Sequence, residues 1–546
     1  MSADAGTWDH IVIGAGSAGC AIAARLSAAG RRVLVLEAGG PDSGRWLRIP
    51  LGVGRIIHDP RVVWQFRTEP EAGAGGRSLY WPRGKVLGGS SSVNGMIWVR
   101  GDPARYDAWG DAGCPGWDWR SMEPVLRGME DFPGGDAASR GRGGPVSIET
   151  LGDGDKVTDA FLEACRGVGI PANPDYNGTS HEGVGRLQVS TRRGERCSTA
   201  VAYLRPALGG DRLHAETRAL VRRVVFDRTR ARGVEFLQDG ELRHAVARLD
   251  VILAAGAIQS PQLLELSGVG DARRLRALGI PVVADLPGVG ENLSDHYHVR
   301  VTYRSRGVIT VNDLVHRPWR YGPRAWLEYQ LRGSGLLSGV SATAHALART
   351  TPESPYPDTK LQLHKISAAD NAGTTRETGL DRFSGVSIGF FQLYPDSRGS
   401  VHAVSPGPEV PPRIVANYLA ASKDRAAVVR GLRLARRIGS HPALRSFLVD
   451  ETRPGTGTVE DAALLDYARQ VGQTSYHPVG TCRMGNDADA VVDPACCVRG
   501  VEGLRVADAS VMPFLVSSNT NAPSIAIGER AAQIMLHGAN AQGANA

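Results

Sequence analysis

Residues 9–37 read DHIVIGAGSAGCAIAARLSAAGRRVLVLE. The apolar run at 10–13 predicts a buried parallel strand, because strands covered on both faces are continuously apolar. A helix-periodic segment follows and ends near Gly30, a residue that commonly terminates helices. A second apolar run at 33–36 ends in the acidic Glu37. The stretch therefore predicts a strand–turn–helix–strand unit in an open α/β sheet.

The turn of this unit carries a Gly-x-Gly-x-x-Gly motif at Gly14, Gly16 and Gly19. The first glycine permits the tight turn, the second lets a pyrophosphate approach the backbone, and the third allows close helix–strand packing. The helix N-terminus offers unpaired N–H groups to the phosphates. Glu37 can accept hydrogen bonds from the adenosine ribose. The motif alone is weak among 68 glycines, but this context predicts an ADP-containing dinucleotide.

The composition is that of a globular protein. The 546 residues are 42% hydrophobic and 22% charged, enough for one large α/β enzyme or two to three domains. The net charge of +7 is dispersed, which suits an anionic cofactor and does not indicate nucleic acid. No segment approaches the about 20 apolar residues of a membrane span.

The chain enters its first strand at once, so we expect no signal peptide and a cytoplasmic location. Its seven cysteines have no Cys-x-x-Cys spacing. This pattern favours free thiols in a reducing compartment, with neither disulfides nor a metal site.

Alternating apolar and polar residues over 213–255 predict a small antiparallel sheet that leads into a parallel strand. Ser260 is expected to cap the next helix, with Pro261 in its first turn. Alternation continues through 300–420 and predicts a broad antiparallel sheet in a second, substrate-facing domain. The segments assigned to this second sheet are 301–303, 326–331, 359–364, 386–391 and 413–418.

Three further segments complete the organisation. An Arg-rich amphipathic helix is predicted at 423–438, and 132–144 is the best candidate for a mobile surface loop. A strand at 504–506 and a helix from about Pro523 to Leu536 resemble a last βα unit of the nucleotide-binding domain. That domain is therefore expected to be discontinuous in sequence.

Residues 84–98 read GKVLGGSSSVNGMIW. Paired glycines followed by serines place many N–H and O–H donors where backbone can approach a ligand closely. The alternative is a flexible Gly/Ser linker, which the interleaved apolar residues and Asn94 disfavour.

Five blocks together resemble the glucose–methanol–choline (GMC) flavin oxidoreductases over essentially the whole chain. They are 14–19, 84–98, GAIQSPQLLELSGVG at 256–270, His477 with Asn519, and the weaker ENLSDH at 291–296. The resemblance implies FAD as cofactor and oxidation of an alcohol C–OH. It also implies an α/β fold, with a Rossmann-like FAD-binding domain and a substrate domain built on an antiparallel sheet plus helices. The expected boundaries are 1–160, 205–300 and 486–546 for the FAD-binding domain, and 161–204 and 301–485 for the substrate domain.

The resemblance also implies which residues contact FAD. The pyrophosphate and ribose are expected on Gly14, Gly16, Ser17, Ala18, Glu37 and Ala38. The flavin and its ribityl chain are expected along Arg83, Val86, Gly88, Gly89, Asn94, Gly95, Met96 and Ile97. Val221 is expected against the adenine, and the remaining cofactor positions are Asp508, Ala509, Asn521, Ala522 and Pro523.

His477 matches the catalytic histidine of the family, and Asn519 matches the second active-site position. A neutral imidazole, with a pKa of about 6.5, can take the hydroxyl proton. The Asn519 amide can hold the alcohol oxygen, and the helix near Pro523 can stabilise the negative charge of reduced flavin. Tyr476 is either a pocket residue or a packing residue, and His296 is expected to be structural.

Some relatives attach flavin through a histidine just before the asparagine of the glycine–serine stretch. Val93 occupies that position here, so we expect non-covalent FAD. The acceptor is left open between O2 and another electron acceptor. The alternatives are a flavin-containing hydroxynitrile lyase-like enzyme and a non-catalytic flavin protein. A choline-like substrate would require an aromatic cage and a nearby carboxylate, which the sequence does not locate, so a neutral primary alcohol is preferred.

Overall fold

The computed structural model describes residues 3–152, 155–368 and 379–543. Two seven-stranded sheets dominate it, and each has its own hydrophobic core. The first sheet has five adjacent parallel strands. In spatial order they are Leu213–Thr217, Val33–Glu37, Ala3–Ile13, Glu241–Leu253 and Leu504–Val506.

The long strand Glu241–Leu253 has both parallel and antiparallel neighbours. One edge of it pairs in parallel with Ala3–Ile13 from Arg243 to Leu253, with Val12 opposite Ile252. Its beginning pairs antiparallel with Arg230–Gln238, which pairs in turn with Ala219–Asp227. The predicted small antiparallel sheet feeding a parallel strand is therefore present. The first strand begins at Ala3, earlier than the predicted residue 10, because residues 3–8 also pair with the long strand.

The helix Ser17–Ala28 follows the glycine turn and lies beside the C-terminal helix Asn521–Gly543. Arg25 of the first helix forms an ion pair with Glu529 of the second at 2.8 Å. Residues distant in sequence thus complete one unit, as expected for a discontinuous domain.

The prediction for Ser260 and Pro261 is wrong. The helix Gly256–Leu266 begins four residues before Ser260, so both residues lie inside it. Pro261 cannot donate to the Ala257 carbonyl one turn earlier, and the Thr481 hydroxyl donates to that carbonyl instead at 2.7 Å. A contact from a distant segment therefore makes an interior proline tolerable.

The second sheet is antiparallel throughout, as predicted. Its spatial order is Leu448–Arg453, Tyr297–Ser305, Gly385–Gln392, Thr359–His364, Ala342–Ala348 and Gly183–Arg186, and Gln473–Thr474 pairs beside the second of these. One face is apolar and belongs to the core that includes the helix Ser422–Gly439. The other face carries polar residues such as His298 and Gln362 and lines a cavity.

Three sequence predictions differ from this arrangement. Residues 326–331, predicted as strand, lie in the helix Pro318–Arg332, which starts at a proline suited to a first helical position. Only Arg413–Val415 of 413–418 is a strand, paired with Ser400–His402. The expected domain boundary at 300 falls inside the strand Tyr297–Ser305, and the one at 160 falls inside the helix Lys156–Gly167. Both elements contribute to the core of the second sheet.

The segment 132–144 is tied to the protein through Arg140, whose side chain is fully buried. Its guanidinium contacts the Glu130 carboxylate at 3.0 Å and also pairs with Asp175. Removing one partner of a buried ion pair costs far more stability than removing one partner of a surface pair. This contact therefore anchors the segment. All seven cysteines are free thiols, and six of them are buried.

The other helices are Arg45–Arg48, Val53–Ile56, Pro103–Asp111, Trp119–Gly128, Arg205–Ala207, Ala272–Ala277, Val311–His316 and Asp461–Val471. The other strands of more than two residues are Val63–Arg67 and Tyr80–Gly84, which pair with each other. No helix in the described ranges is both long and apolar enough to cross a bilayer.

The third glycine of the motif provides a test of the fold. A Cβ at Gly19 would lie 2.0 Å from the Gly14 carbonyl oxygen, so the helix would have to move away from the turn. We expect Gly19→Ala to lower the free energy of unfolding by about 1–3 kcal/mol in denaturant titrations. Gly128→Ala is the matched control, because its Cβ would meet nothing within 4 Å in a helix. An unchanged Gly19→Ala variant would contradict the close approach.

Candidate active site

A cavity of about 1190 Å³ runs between the two sheets. One end is formed by the glycine turn at Gly14 and Gly16, and the other by His477 and the polar face of the second sheet. The cavity is larger than most pockets for drug-sized ligands, which measure about 300–1,000 Å³. Its size and length suit a dinucleotide together with a small substrate.

Two helices begin at the glycine-rich end. Ser17 starts one helix and Asn521 starts the other, and the Ser17 hydroxyl donates to the Asn521 side-chain oxygen at 2.7 Å. Gly89 lies so close to Gly16 that a Cβ would be 2.7 Å from its Cα. The N–H groups at the two helix N-termini can donate to the pyrophosphate of FAD. The neighbouring glycines have no side chains that would keep the pyrophosphate away from the backbone.

Glu37 lies at the end of its strand with both carboxylate oxygens oriented by backbone. Oε2 accepts from the Ala15 N–H at 3.0 Å, and Oε1 accepts from the Gly39 N–H at 2.8 Å. Burial raises the pKa of this carboxyl to about 7, although the two N–H donors oppose that shift. Each oxygen keeps a second lone pair, so the side chain fits the ribose hydroxyls.

Most of the cofactor positions carried over from the resemblance line this cavity. They are Gly14, Gly16, Ser17, Ala18, Glu37, Ala38, Arg83, Gly89, Asn94, Gly95, Met96, Ile97, Val221, Asp508, Ala509 and Asn521. Val86, Gly88, Ala522 and Pro523 do not line it in this structure. Gly88 instead donates its N–H to the Ala15 carbonyl at 2.7 Å, and this hydrogen bond stabilises the glycine turn that lines the cavity.

His477 is held through a chain of hydrogen bonds that fixes its tautomer. The His296 Nε2 lies 2.9 Å from the Leu393 carbonyl, which can only accept, so this nitrogen carries a proton. The Nδ1 of neutral His296 is then an acceptor, and it lies 2.9 Å from the His477 Nδ1. His477 therefore donates from Nδ1, and its Nε2 keeps the lone pair.

Asn519 faces that lone pair. Its Nδ2 lies 3.1 Å from the His477 Nε2, and its Oδ1 accepts from the Lys360 Nζ at 2.5 Å and the Ser518 hydroxyl at 3.0 Å. Two donors on Oδ1 determine which end of the amide points to the imidazole. The structure thus brings together the two residues that the sequence paired across 41 intervening positions.

The backbone of His477 is fixed independently of its ring. Its N–H donates to the Asp295 Oδ1 at 2.7 Å, while Oδ2 accepts from the Thr474 hydroxyl at 2.6 Å and from the Tyr418 hydroxyl. Tyr476 has a left-handed φ of 65°, a conformation that costs energy for a bulky residue. Its carbonyl accepts from the Arg83 guanidinium at 3.0 Å, and its side chain lines the cavity.

Burial sets the protonation of this cluster. It lowers the pKa of His477 well below its usual value, and the nearby His296 and Lys360 lower it further. Burial also lowers the pKa of His296 to about 4 and the pKa of Lys360 well below the usual lysine value. His477 is therefore neutral at ordinary pH and available as a base.

Phe391 separates the histidine pair from the rest of the second sheet. Its ring stacks on His296 with centroids 4.6 Å apart and meets His477 edge-on at 5.6 Å. Val93 also lines the cavity. Trp98 does not, because it is fully buried and donates to Glu130 at 2.6 Å.

Sequence reasoning missed two members of the cluster. His296, interpreted as structural, contacts His477 directly, and Lys360 was not singled out. One signal was available, because Lys360, Gln362 and His364 alternate with apolar residues on a single strand. Polar residues at every second position of a buried strand indicate a face turned to a ligand cavity.

Comparisons with known proteins identify the relatives of this chain. Two models described as GMC oxidoreductase match residues 8–298 and 395–528. The chain is 38% identical to an "Oxygen-dependent choline dehydrogenase" of Vibrio vulnificus, covering 97% of this chain and 94% of that protein. It is 36% identical to an "Alcohol dehydrogenase [acceptor]" of Pseudomonas putida, covering 97% and 96%.

A solved structure gives the same result. The crystal structure of pyridoxine 4-oxidase from Mesorbium loti superposes with a TM-score of 0.88 at 30% identity, covering 97% of this chain and 99% of that one. The matched models together span more than half of the sequence, and the overall architecture is shared. This chain therefore belongs to the GMC oxidoreductase family.

Proposed function

We propose that this protein oxidises an alcohol C–OH to an aldehyde with non-covalent FAD, with His477 as the base. The observation that carries the proposal is the neutral His477 ring, whose Nε2 lone pair is left on the side of Asn519. Both residues line the same cavity as the glycine turn. The acceptor that reoxidises the flavin is either O2 or another molecule.

FAD would be held by the glycine turn, Glu37, the Gly89–Ile97 segment and the N-terminus of the helix that begins at Asn521. When bound, it supplies the acceptor for the hydride that leaves the alcohol carbon. The protein side chains have a different task, which is to bind the hydroxyl group and receive its proton.

An alcohol oxygen bound beside the two residues would replace their direct contact: it would accept a hydrogen bond from the Asn519 Nδ2 and donate its proton to the His477 Nε2. The protonated ring keeps its Nδ1–H directed at the His296 Nδ1, so it does not have to turn. The Lys360 Nζ donates to Oδ1 and polarises the Asn519 amide, which strengthens its N–H donors as negative charge develops on the oxygen.

We propose a neutral primary alcohol as the substrate. Among the described residues that line the cavity, the only carboxylates are Glu37 and Asp508, and both lie toward the nucleotide end. The substrate end instead presents His298, His364 and the Arg300 guanidinium. Phe391 and Tyr476 supply aromatic rings at this end, but a quaternary ammonium group also favours negative charge, which imidazoles beside a guanidinium do not provide.

The role of His477 is tested by His477→Ala. We expect the rate at which an alcohol bleaches the flavin under anaerobic conditions to fall about 10²–10⁴-fold, because the proton acceptor is lost. His214→Ala is the control, since that histidine lies on an exposed edge strand. Full turnover by the His477 variant would refute the base. A wild-type flavin that no alcohol bleaches would instead favour a lyase or a non-catalytic flavin protein.

Lys360→Met tests the positioning of Asn519. We expect slower flavin reduction, on the order of tenfold, because the amide loses its orienting donor. In the wild type the rate should decline only below about pH 6.5, the unperturbed imidazole value, since the pKa of His477 is lowered. Lys360 lowers the pKa of His477, so Lys360→Met should raise that pKa and move the decline to higher pH.

Lys423→Met, which removes an exposed lysine paired with Asp396, is the matched control for this experiment. In an Asn519→Ala background the effect of Lys360→Met on the rate should largely disappear, because Lys360 acts through the amide. Equal effects in both backgrounds would show that Lys360 acts elsewhere.

Acid denaturation tests the attachment of the flavin. Val93 has no nitrogen that could bond to the isoalloxazine, so all yellow colour should leave the precipitated protein and remain in the supernatant. Absorbance of the two fractions measures this. Colour retained by the washed precipitate would contradict non-covalent binding.

A further inference from the structure

The helix Pro318–Arg332 turns an apolar face outward. Trp319 is 76% exposed, Leu331 74% and Leu327 59%. Leucine and tryptophan side chains are seldom this accessible, and adjacent ones on a protein surface mark an interaction site.

The exposed residues share one side of the helix. At 100° per residue, Trp319, Trp326 and Leu327 fall within about a third of the circumference, and Leu331 extends the same face. Tyr329 lies at the edge of this face beyond Trp326, where it is buried and its ring packs on the Trp326 ring with centroids 5.9 Å apart. The helix is therefore amphipathic with its apolar side away from the protein core.

Basic residues border this face. Arg320 and Arg324 lie along it, and Arg317 and Arg332 lie at the two ends of the helix. Glu328, the acidic residue of the helix, is turned toward Gly335, where a Cβ would be 2.6 Å from its Cδ. Tryptophan, leucine and arginine on one face form the pattern of helices that lie in the interface of anionic membranes.

The face lies beside the entrance to the active-site cavity. Pro318 and Gly322 of the same helix line that cavity, as does Val315 just before it. Val315 is itself 43% exposed, so the apolar surface continues from the helix to the cavity wall. A surface bound to this helix would lie next to the entrance.

We propose that Pro318–Arg332 docks the enzyme on an anionic phospholipid surface. The negative charge of the lipid headgroups complements the arginines. Trp319 and Leu331 can enter the boundary between the headgroups and the acyl chains. A second copy of the chain matches less well, because a two-fold contact would bring the arginines of one copy against those of the other. The docking does not depend on the identity of the alcohol.

Sedimentation with vesicles tests this proposal on the FAD-loaded enzyme. We expect binding to vesicles of phosphatidylcholine with phosphatidylglycerol, and weaker binding to phosphatidylcholine alone. The combined variant Trp319→Ala, Leu327→Ala, Leu331→Ala should lose at least about tenfold in vesicle affinity. Its turnover of a water-soluble alcohol should be unchanged, because these three side chains do not line the cavity.

Two further variants sharpen the test. Arg320→Ala with Arg324→Ala should reduce the preference for anionic vesicles and its sensitivity to salt. The control replaces exposed valines elsewhere, Val246→Ala, Val449→Ala and Val459→Ala, which are 46%, 52% and 55% exposed. This control should bind like the wild type.

Three results would overturn the proposal. The first is a wild-type enzyme that does not bind anionic vesicles, and the second is vesicle binding that the triple variant retains. The third is a wild-type dimer in light scattering that the triple variant converts to monomer, which would make this helix an interface between copies.

Discussion

The hydrogen bond between the Leu393 carbonyl and the His296 ring is the contact on which the proposed chemistry depends. A carbonyl can only accept, so it fixes the proton of His296, and His296 in turn fixes the proton of His477. The result is a lone pair on one particular nitrogen. Because these rings are buried, protonation is disfavoured and the lone pair persists over the ordinary pH range.

This arrangement explains why the second sheet is polar on a buried face. Its apolar side packs in a core with the helix Ser422–Gly439, while its other side supplies Lys360 to the Asn519 amide. A buried amine is costly unless it has a hydrogen-bond acceptor. Such a residue on a well-packed strand is held accurately, and the amide that it orients is therefore held accurately as well.

Contacts between residues distant in sequence build both ends of the cavity. Helices that start at Ser17 and Asn521 meet at the phosphate end, and their N-termini are joined by a side-chain hydrogen bond. Asp295 lies just before the strand Tyr297–Ser305 of the second sheet. Its carboxylate accepts from the His477 N–H and so anchors the segment that carries His477. The cavity between the sheets is thus built from both ends of the chain, and its entrance lies beside the helix Pro318–Arg332 with its exposed tryptophans.

The sequence alone determined the family and the nucleotide unit, because glycine spacing and strand periodicity are local properties. Through the resemblance to the family it also supplied His477 and Asn519, the pair that we propose as catalytic. It also gave the antiparallel second sheet, since alternation survives in the residue order. It placed the start of the helix too late, at Ser260, because the Thr481 hydroxyl that makes Pro261 tolerable inside the helix comes from a distant segment. It predicted a strand at 326–331, but these residues belong to a helix that buries Tyr329 against the rest of the protein. Only the tertiary structure joined His296 and Lys360 to the site, because a hydrogen bond between residues more than 150 positions apart leaves no local pattern.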